Sequence, residues 1–234
     1  MPSLLPLVLL SYALQPQPEA LLRDLLGVPY VNDAVLDERD RWTTFTHPES
    51  TLPSPGLNCS GFTIAGARRL LGYSGTVEDA TRDRLGDSGK ASKLGRDWDF
   101  AWDLVLNLSE GHPRRVVLPE GEASIQGASG LTLRGFPMNE LVDWQRVLPQ
   151  IRHGRAYLCS LSKTLKGGHI QHYHAVLLLR DGQGSVWLYQ TLPFGHSHRL
   201  NLTLPGGLQR MQEMFRGNKR ILIVEVDREA SSKP

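Results

Sequence analysis

The stretch Leu57-Asn58-Cys59-Ser60-Gly61-Phe62-Thr63-Ile64-Ala65-Gly66, LNCSGFTIAG, decides how the chain is read. It sets a cysteine between a proline- and glycine-rich loop, THPESTLPSPGL at 46–57, and an apolar run that ends at Leu71-Gly72. Glycine just past the last periodic position is a common helix stop, so a helix is predicted from Cys59 to Leu71. Gly61 and Gly66 lower its intrinsic helicity, which points to close packing against a sheet. A thiol at a helix start meets the positive end of the dipole and unpaired N–H groups. Both favour the thiolate, and the same N–H groups can donate to an oxyanion. By frequency alone, a lone cysteine beside an apolar helix is more often a core residue.

Upstream, PEALLRDLLG at 18–27 reads as a short helix with Leu21, Leu22, Leu25 and Leu26 on one stripe, and VPYVNDAV follows as extended chain. Downstream, RDWDFAWDLVLNL at 96–108 reads as a helix with Trp98 and Trp102 at i,i+4, and MNELVDWQRVLPQI as another. RRVVLP and GLTLRGF are short strand-like pieces. From residue 155 the runs RAYLCSLSKTL, HYHAVLLLRD and SVWLYQTL read as strands, the last two joined by a hairpin turn at Gly182-Gln183-Gly184. Residues 203–216 read as a helix. KRILIVEVD, apolar on both faces, reads as a central or covered closing strand. Helices first and antiparallel strands after give an α+β class.

A catalytic thiol needs a base and a group to orient it. On the strand GGHIQHYHAVLLL, alternation puts His172, His174, Val176 and Leu178 on one face. His174 is the last polar residue before the buried run, at the edge of the core. Gln190 ends the next strand and comes near His174 across the hairpin, where its amide can hold an imidazole nitrogen. Taken singly, each is more readily a strand-end polar residue with no role.

The 234 residues, 40% hydrophobic and 21% charged, suit one domain. A net charge of +2 with scattered Lys and Arg gives no basic stripe for nucleic acid. Two cysteines, Cys59 and Cys159, make no disulfide framework. No run has the length of a membrane span. Residues 1–18 read as a secretory signal or a disordered segment, 19–228 as one domain, and 229–234 as a frayed tail.

Together, LLGVPYVND at 25–33, NCSGF at 58–62, HAVLLL at 174–179 and Gln190 resemble the NlpC-type family of papain-like cell-wall cysteine peptidases. The resemblance covers about residues 19–75 and 148–192. It implies a fold with N-terminal helices, the nucleophile helix packed on a small antiparallel sheet, and an insertion at about 73–145. It implies a bacterial hydrolase that cleaves amide bonds in peptidoglycan stem peptides, with Cys59 as nucleophile, His174 as base and Gln190 as orienting residue. Tyr30 would line the substrate subsite, with Asn58, Ser60 and His172 as further substrate contacts. No cofactor or metal is implied, and the chain would work as a monomer, periplasmic or secreted, or otherwise cytoplasmic. If it is an antibacterial effector, an inhibitor or immunity protein would be its partner.

Three departures qualify the match. Asn58 stands where many members carry Asp, which leaves the usual dipeptide specificity open. The family's P-G-D turn is replaced by VLPQIRHGRAYL, and the Cys59-to-His174 spacing of 115 residues is long. Core packing is the first reading of Trp98, Trp102 and Trp144 in the insertion, ahead of substrate contact. Two other classes stand beside this one: a thiol acyltransferase or other amidase on the same fold, and a non-catalytic or metal-binding protein using His169, His172, His174, His196 and His198.

Overall fold

The structure, a computed structural model, describes residues 17–88 and 92–228. The signal or disordered segment, up to residue 16, and the tail from 229 lie outside the described residues.

The leading elements are short. One α-helical turn, α1 (Pro18–Leu21), runs into a 3-10 turn at Arg23–Leu25. The extended segment becomes β1 (Ala34–Leu36), which pairs with β2 (Trp42–Thr44) as a separate two-stranded antiparallel sheet. Then comes α2 (Cys59–Leu71), with the bounds read from the sequence. Asn58 starts it: its Oδ1 accepts from the Gly61 N–H at 2.8 Å. Gly72 ends it in the left-handed conformation at φ 68°. A Cβ on Gly61 would sit 2.2 Å from the Ala34 carbonyl oxygen, and one on Gly66 would sit 2.3 Å from the Leu177 side chain. The two glycines therefore let α2 press on β1 at one end and on the main sheet further along.

The middle of the chain holds α3 (Val77–Ala80), α4 (Phe100–Leu108), β3 (Arg114–Leu118), β4 (Gly121–Ala123), β5 (Phe136–Pro137) and α5 (Leu141–Val147). The C-terminal part gives β6 (Ala156–Thr164), β7 (Ile170–Arg180), β8 (Val186–Gln190), β9 (His198–Asn201), α6 (Gly207–Met214) and β10 (Lys219–Val226). Eight strands form one antiparallel sheet in the order β4-β3-β10-β6-β7-β8-β9, with β5 also on β10. The class is α+β. The sheet is larger than the small one expected, because β3, β4 and β5 of the 73–145 segment join it through β10. Two other readings fail there. Trp98 precedes α4, so it and Trp102 share no helix face, and GLTLRGF is mostly turn, contributing only the start of β5.

Both faces of the sheet are covered. On one, α2 and α4 pack over Ala175, Leu177 and Leu179 of β7 and over Leu222, Val224 and Val226 of β10. On the other, Trp144 and Val147 of α5, with Met211 and Phe215 at α6, pack over Val176, Leu178, Ile221 and Ile223. This two-sided burial accounts for the continuous apolar runs of β7 and β10. Trp98, Trp102 and Trp144 are all buried, as core residues.

One interruption matters for function. Leu161 pairs with His174 but Ser162 pairs with His172, so Tyr173 is an unpaired extra residue, a β-bulge. Strict alternation put His172 and His174 on one face. The bulge sends them to opposite faces. His172 lies among Trp98, Trp102 and Ser160 on the α2/α4 side, whereas His174 lies against Phe215 on the α5/α6 side.

Candidate active site

Cys59 opens α2, and the donors of that first turn can be counted. The Asn58 N–H donates to the Ala34 carbonyl, the Gly61 N–H to Asn58 Oδ1, and the Phe62 N–H to the Asn58 carbonyl. The N–H groups of Cys59 and Ser60 are the orphan donors left over. Free N–H groups in a first helical turn point out past the helix N-terminus, where an oxyanion can accept from them.

The thiol is held down to about 7. Burial alone would raise it. The hydrogen bond and charge of His174, the Ser60 hydroxyl and the Ala175 N–H outweigh that burial by stabilising the thiolate. Ser60 Oγ is 3.8 Å from Cys59 Sγ. Cys159, the other free cysteine, is fully buried on β6, and desolvation pushes its thiol well up.

His174 is buried, and its Nε2 lies 3.1 Å from Gln190 Oε1. With Nε2 engaged there, Nδ1 is the nitrogen left for the thiol. The Gln190 amide is itself oriented: its Nε2 faces His198 Nε2 at 3.3 Å and Met214 Sδ at 3.6 Å. That places amide nitrogen toward acceptors and amide oxygen toward His174. Thus Cys59, His174 and Gln190 are brought together from α2, β7 and β8.

The four substrate-contact candidates fare differently. Tyr30 is half-buried and near enough to Cys59 that the thiolate, after burial, raises its phenol. Its N–H donates to the Gly195 carbonyl at 2.8 Å, and the loop that holds it carries the fully exposed Phe194. Asn58 is half-buried, but its Oδ1 is committed to capping α2. Ser60 is buried and supports the sulfur. His172 is fully buried, bonded to Ser160 Oγ and to the Gly130 carbonyl at 2.8 Å each, so it touches no substrate and is a core residue instead. Burial lowers its imidazole to about 4, so it stays neutral.

The five histidines of the metal-binding alternative do not converge on one site. His172 and His174 face opposite sides, and His198 Nδ1 bonds to the His196 carbonyl. Tyr173 is the residue that sequence alternation could not find. Its ring stacks beside His174 at 6.1 Å, and its buried hydroxyl has no hydrogen-bond partner. Burial first, and then the Cys59 charge, raise its phenol, which sets the hydroxyl within electrostatic reach of the sulfur. No helix among the described residues is long and apolar enough to cross a membrane. The chain matches no family model, no curated protein and no solved structure.

Proposed function

We propose that this chain is a papain-like cysteine hydrolase of NlpC type that cleaves amide bonds in peptidoglycan stem peptides. The observation that carries this reading is the thiol at the start of α2, held near neutrality by His174, whose far nitrogen is bonded to Gln190. That is the nucleophile, base and orienting group of thiol catalysis.

The thiolate of Cys59 attacks the carbonyl carbon of the scissile amide. The oxygen takes the negative charge and is met by the N–H groups of Cys59 and Ser60. Protonated His174 gives its proton to the departing amine as the C–N bond breaks, leaving a thioester on Cys59. Water, deprotonated by His174, then attacks the thioester and releases the free acid and the thiol. Tyr30 and the Tyr173 hydroxyl flank the sulfur and contact the substrate around the reacting carbonyl. The stem-peptide substrate rests on the resemblance of GVPY, NCSGF and the histidine strand to the family.

The test is to incubate wild-type protein and Cys59→Ala with purified peptidoglycan and to analyse the released muropeptides. New fragments are expected with wild type and none with the variant. Equal cleavage by both proteins would rule out the thiol mechanism, and no cleavage by either would rule out the substrate.

A further inference from the structure

We propose that Asp83, Asp87 and Asp99 form a binding site for one hard divalent cation of the calcium class, outside the thiol site. Each offers a carboxylate oxygen, and these oxygens all lie within 4.8 Å of one another. Proximity of acids at a surface is common without a ligand. A second observation sets this cluster apart: Asp99 is 0% exposed, and its Oδ2 is buried with no hydrogen-bond partner. Its other oxygen, Oδ1, accepts from the Ser88 hydroxyl. Ionised, Asp99 is a buried charge whose neighbours are the like-charged carboxylates of Asp83 and Asp87, which is costly. A cation answers that need.

Among the described residues the three carboxylates are compensated by hydrogen bonds alone: Asp83 accepts from the Leu85, Gly86 and Ser88 N–H groups, Asp87 from the Trp98 indole and Asp99 from the Ser88 hydroxyl. Among the described residues no Lys, Arg or His forms an ion pair with any of the three carboxylates; the neighbouring arginines pair with Glu110 and Asp97 instead. The donors are all oxygens, which select hard cations over zinc or copper. They come from a loop and from the residue before α4, an irregular frame that suits the flexible coordination of calcium better than the strict octahedron of magnesium. Asp83 is exposed, Asp87 half-buried and Asp99 buried, so the cluster opens to solvent on one side and holds its orphan oxygen on the other.

The site is tied to the histidine strand. The Trp98 indole N–H donates to Asp87 Oδ1 at 3.1 Å, and the Trp98 carbonyl accepts from the His172 N–H at 2.6 Å. The Trp98 ring meets the His172 ring edge-on at 6.3 Å. A cation drawing the three carboxylates together would fasten Asp83, Asp87 and Asp99, through Trp98, to His172 of β7, two residues from His174.

Trp98 also supplies the readout, because an indole beside a bound terbium ion sensitises its luminescence. The experiment titrates full-length protein, stripped with chelator, with terbium under tryptophan excitation, and measures Tm in calcium and in chelator. We expect saturable emission at one equivalent, reversed by excess calcium, and a higher Tm in calcium. In Asp99→Asn, terbium affinity should fall about ten-fold or more and the calcium-dependent rise in Tm should vanish. If that variant does not fold, Asp87→Asn carries the same test. Absence of sensitised emission, or emission and Tm shift undiminished in the variants, overturns the proposal. Neither readout depends on hydrolysis.

Discussion

Gln190 Oε1 and His174 Nε2 stand 3.1 Å apart, on adjacent strands that pair at Leu177 and Tyr189. The contact fixes the imidazole tautomer, because an amide oxygen accepts and so needs the proton on Nε2. Nδ1 is then the nitrogen left free to act as base on Cys59. Gln190→Ala should lower kcat by about ten-fold or more with a small change in KM, because it removes orientation and not substrate contact. Steady-state kinetics on a stem-peptide amide would check this. A loss confined to KM would place Gln190 in substrate binding.

The thiol of Cys59 should titrate near 7 in an alkylation-rate profile followed by mass spectrometry. Labelling is slow below that pH and rises through it as the thiolate forms. In His174→Ala only burial, Ser60 and the Ala175 N–H remain to set the thiol, so the midpoint moves upward. A midpoint two units higher cuts the thiolate fraction at pH 7 by about 50-fold. Cys159 is the internal control and should stay unlabelled in folded protein. Equal labelling of Cys59 in wild type and His174→Ala would mean that the imidazole does not act on the sulfur.

Asn58 should act as a cap before it acts as a specificity residue. Asn58→Ala should cost about 1 kcal/mol of stability in denaturant unfolding. Asn58→Asp keeps an N-cap acceptor and should unfold like wild type, but its charge beside the sulfur should raise the alkylation midpoint of Cys59. If both variants leave stability and midpoint unchanged, the hydrogen bond to Gly61 contributes nothing to α2.

Tyr173→Phe separates support from catalysis. Removing a buried, unpartnered hydroxyl should leave the fold as stable or raise it by about 1 kcal/mol. If that hydroxyl meets the developing oxyanion, kcat should nevertheless fall about ten-fold or more. A variant more stable and fully active would remove Tyr173 from the reaction.

Two buried groups set the acid limit. His172 is lowered to about 4 by burial, so its neutral form is favoured in the fold. Its contribution is present above the unfolded value of about 6.5 and is lost as pH falls from there toward 4, on the order of 3 kcal/mol. Glu225, 4% exposed, is lowered to about 2: burial would raise it, but Arg152, Arg115 and the Tyr157 hydroxyl outweigh that. Its contribution is present above the unfolded value of about 4.3 and is lost between there and 2. Wild-type Tm should therefore drop in two stages on acidification. Glu225→Gln should shrink the lower stage, which Asp37, Asp83 and Asp181, also held below the usual carboxylate range, share, and leave the upper one.

Much of this was legible along the chain. The apolar run after Cys59, Gly72 as its stop, the strand after His174 and the hairpin at 182–184 are local patterns, and local propensity and periodicity carry them. The two glycines of α2 also declared their close contacts. His172 was misplaced because period-2 alternation assumes an unbroken ladder, and a single unpaired residue, Tyr173, reverses every assignment before it. β3 and β5 carry no local sign of their partner, because β10 comes more than 80 residues later.

The sequence by itself determined that a thiol stands at a helix start, that a histidine precedes the apolar run of one strand and a glutamine ends the next, and that the class is α+β. Only the tertiary structure decided that Gln190 oxygen faces His174, that the Tyr173 hydroxyl and the Asp99 carboxylate oxygen are left without partners, and that His172 is core. The division has one cause. Periodicity and capping depend on neighbours within a few residues. Hydrogen-bond satisfaction and the desolvation that shifts a thiol or a carboxyl depend on atoms brought in from distant segments.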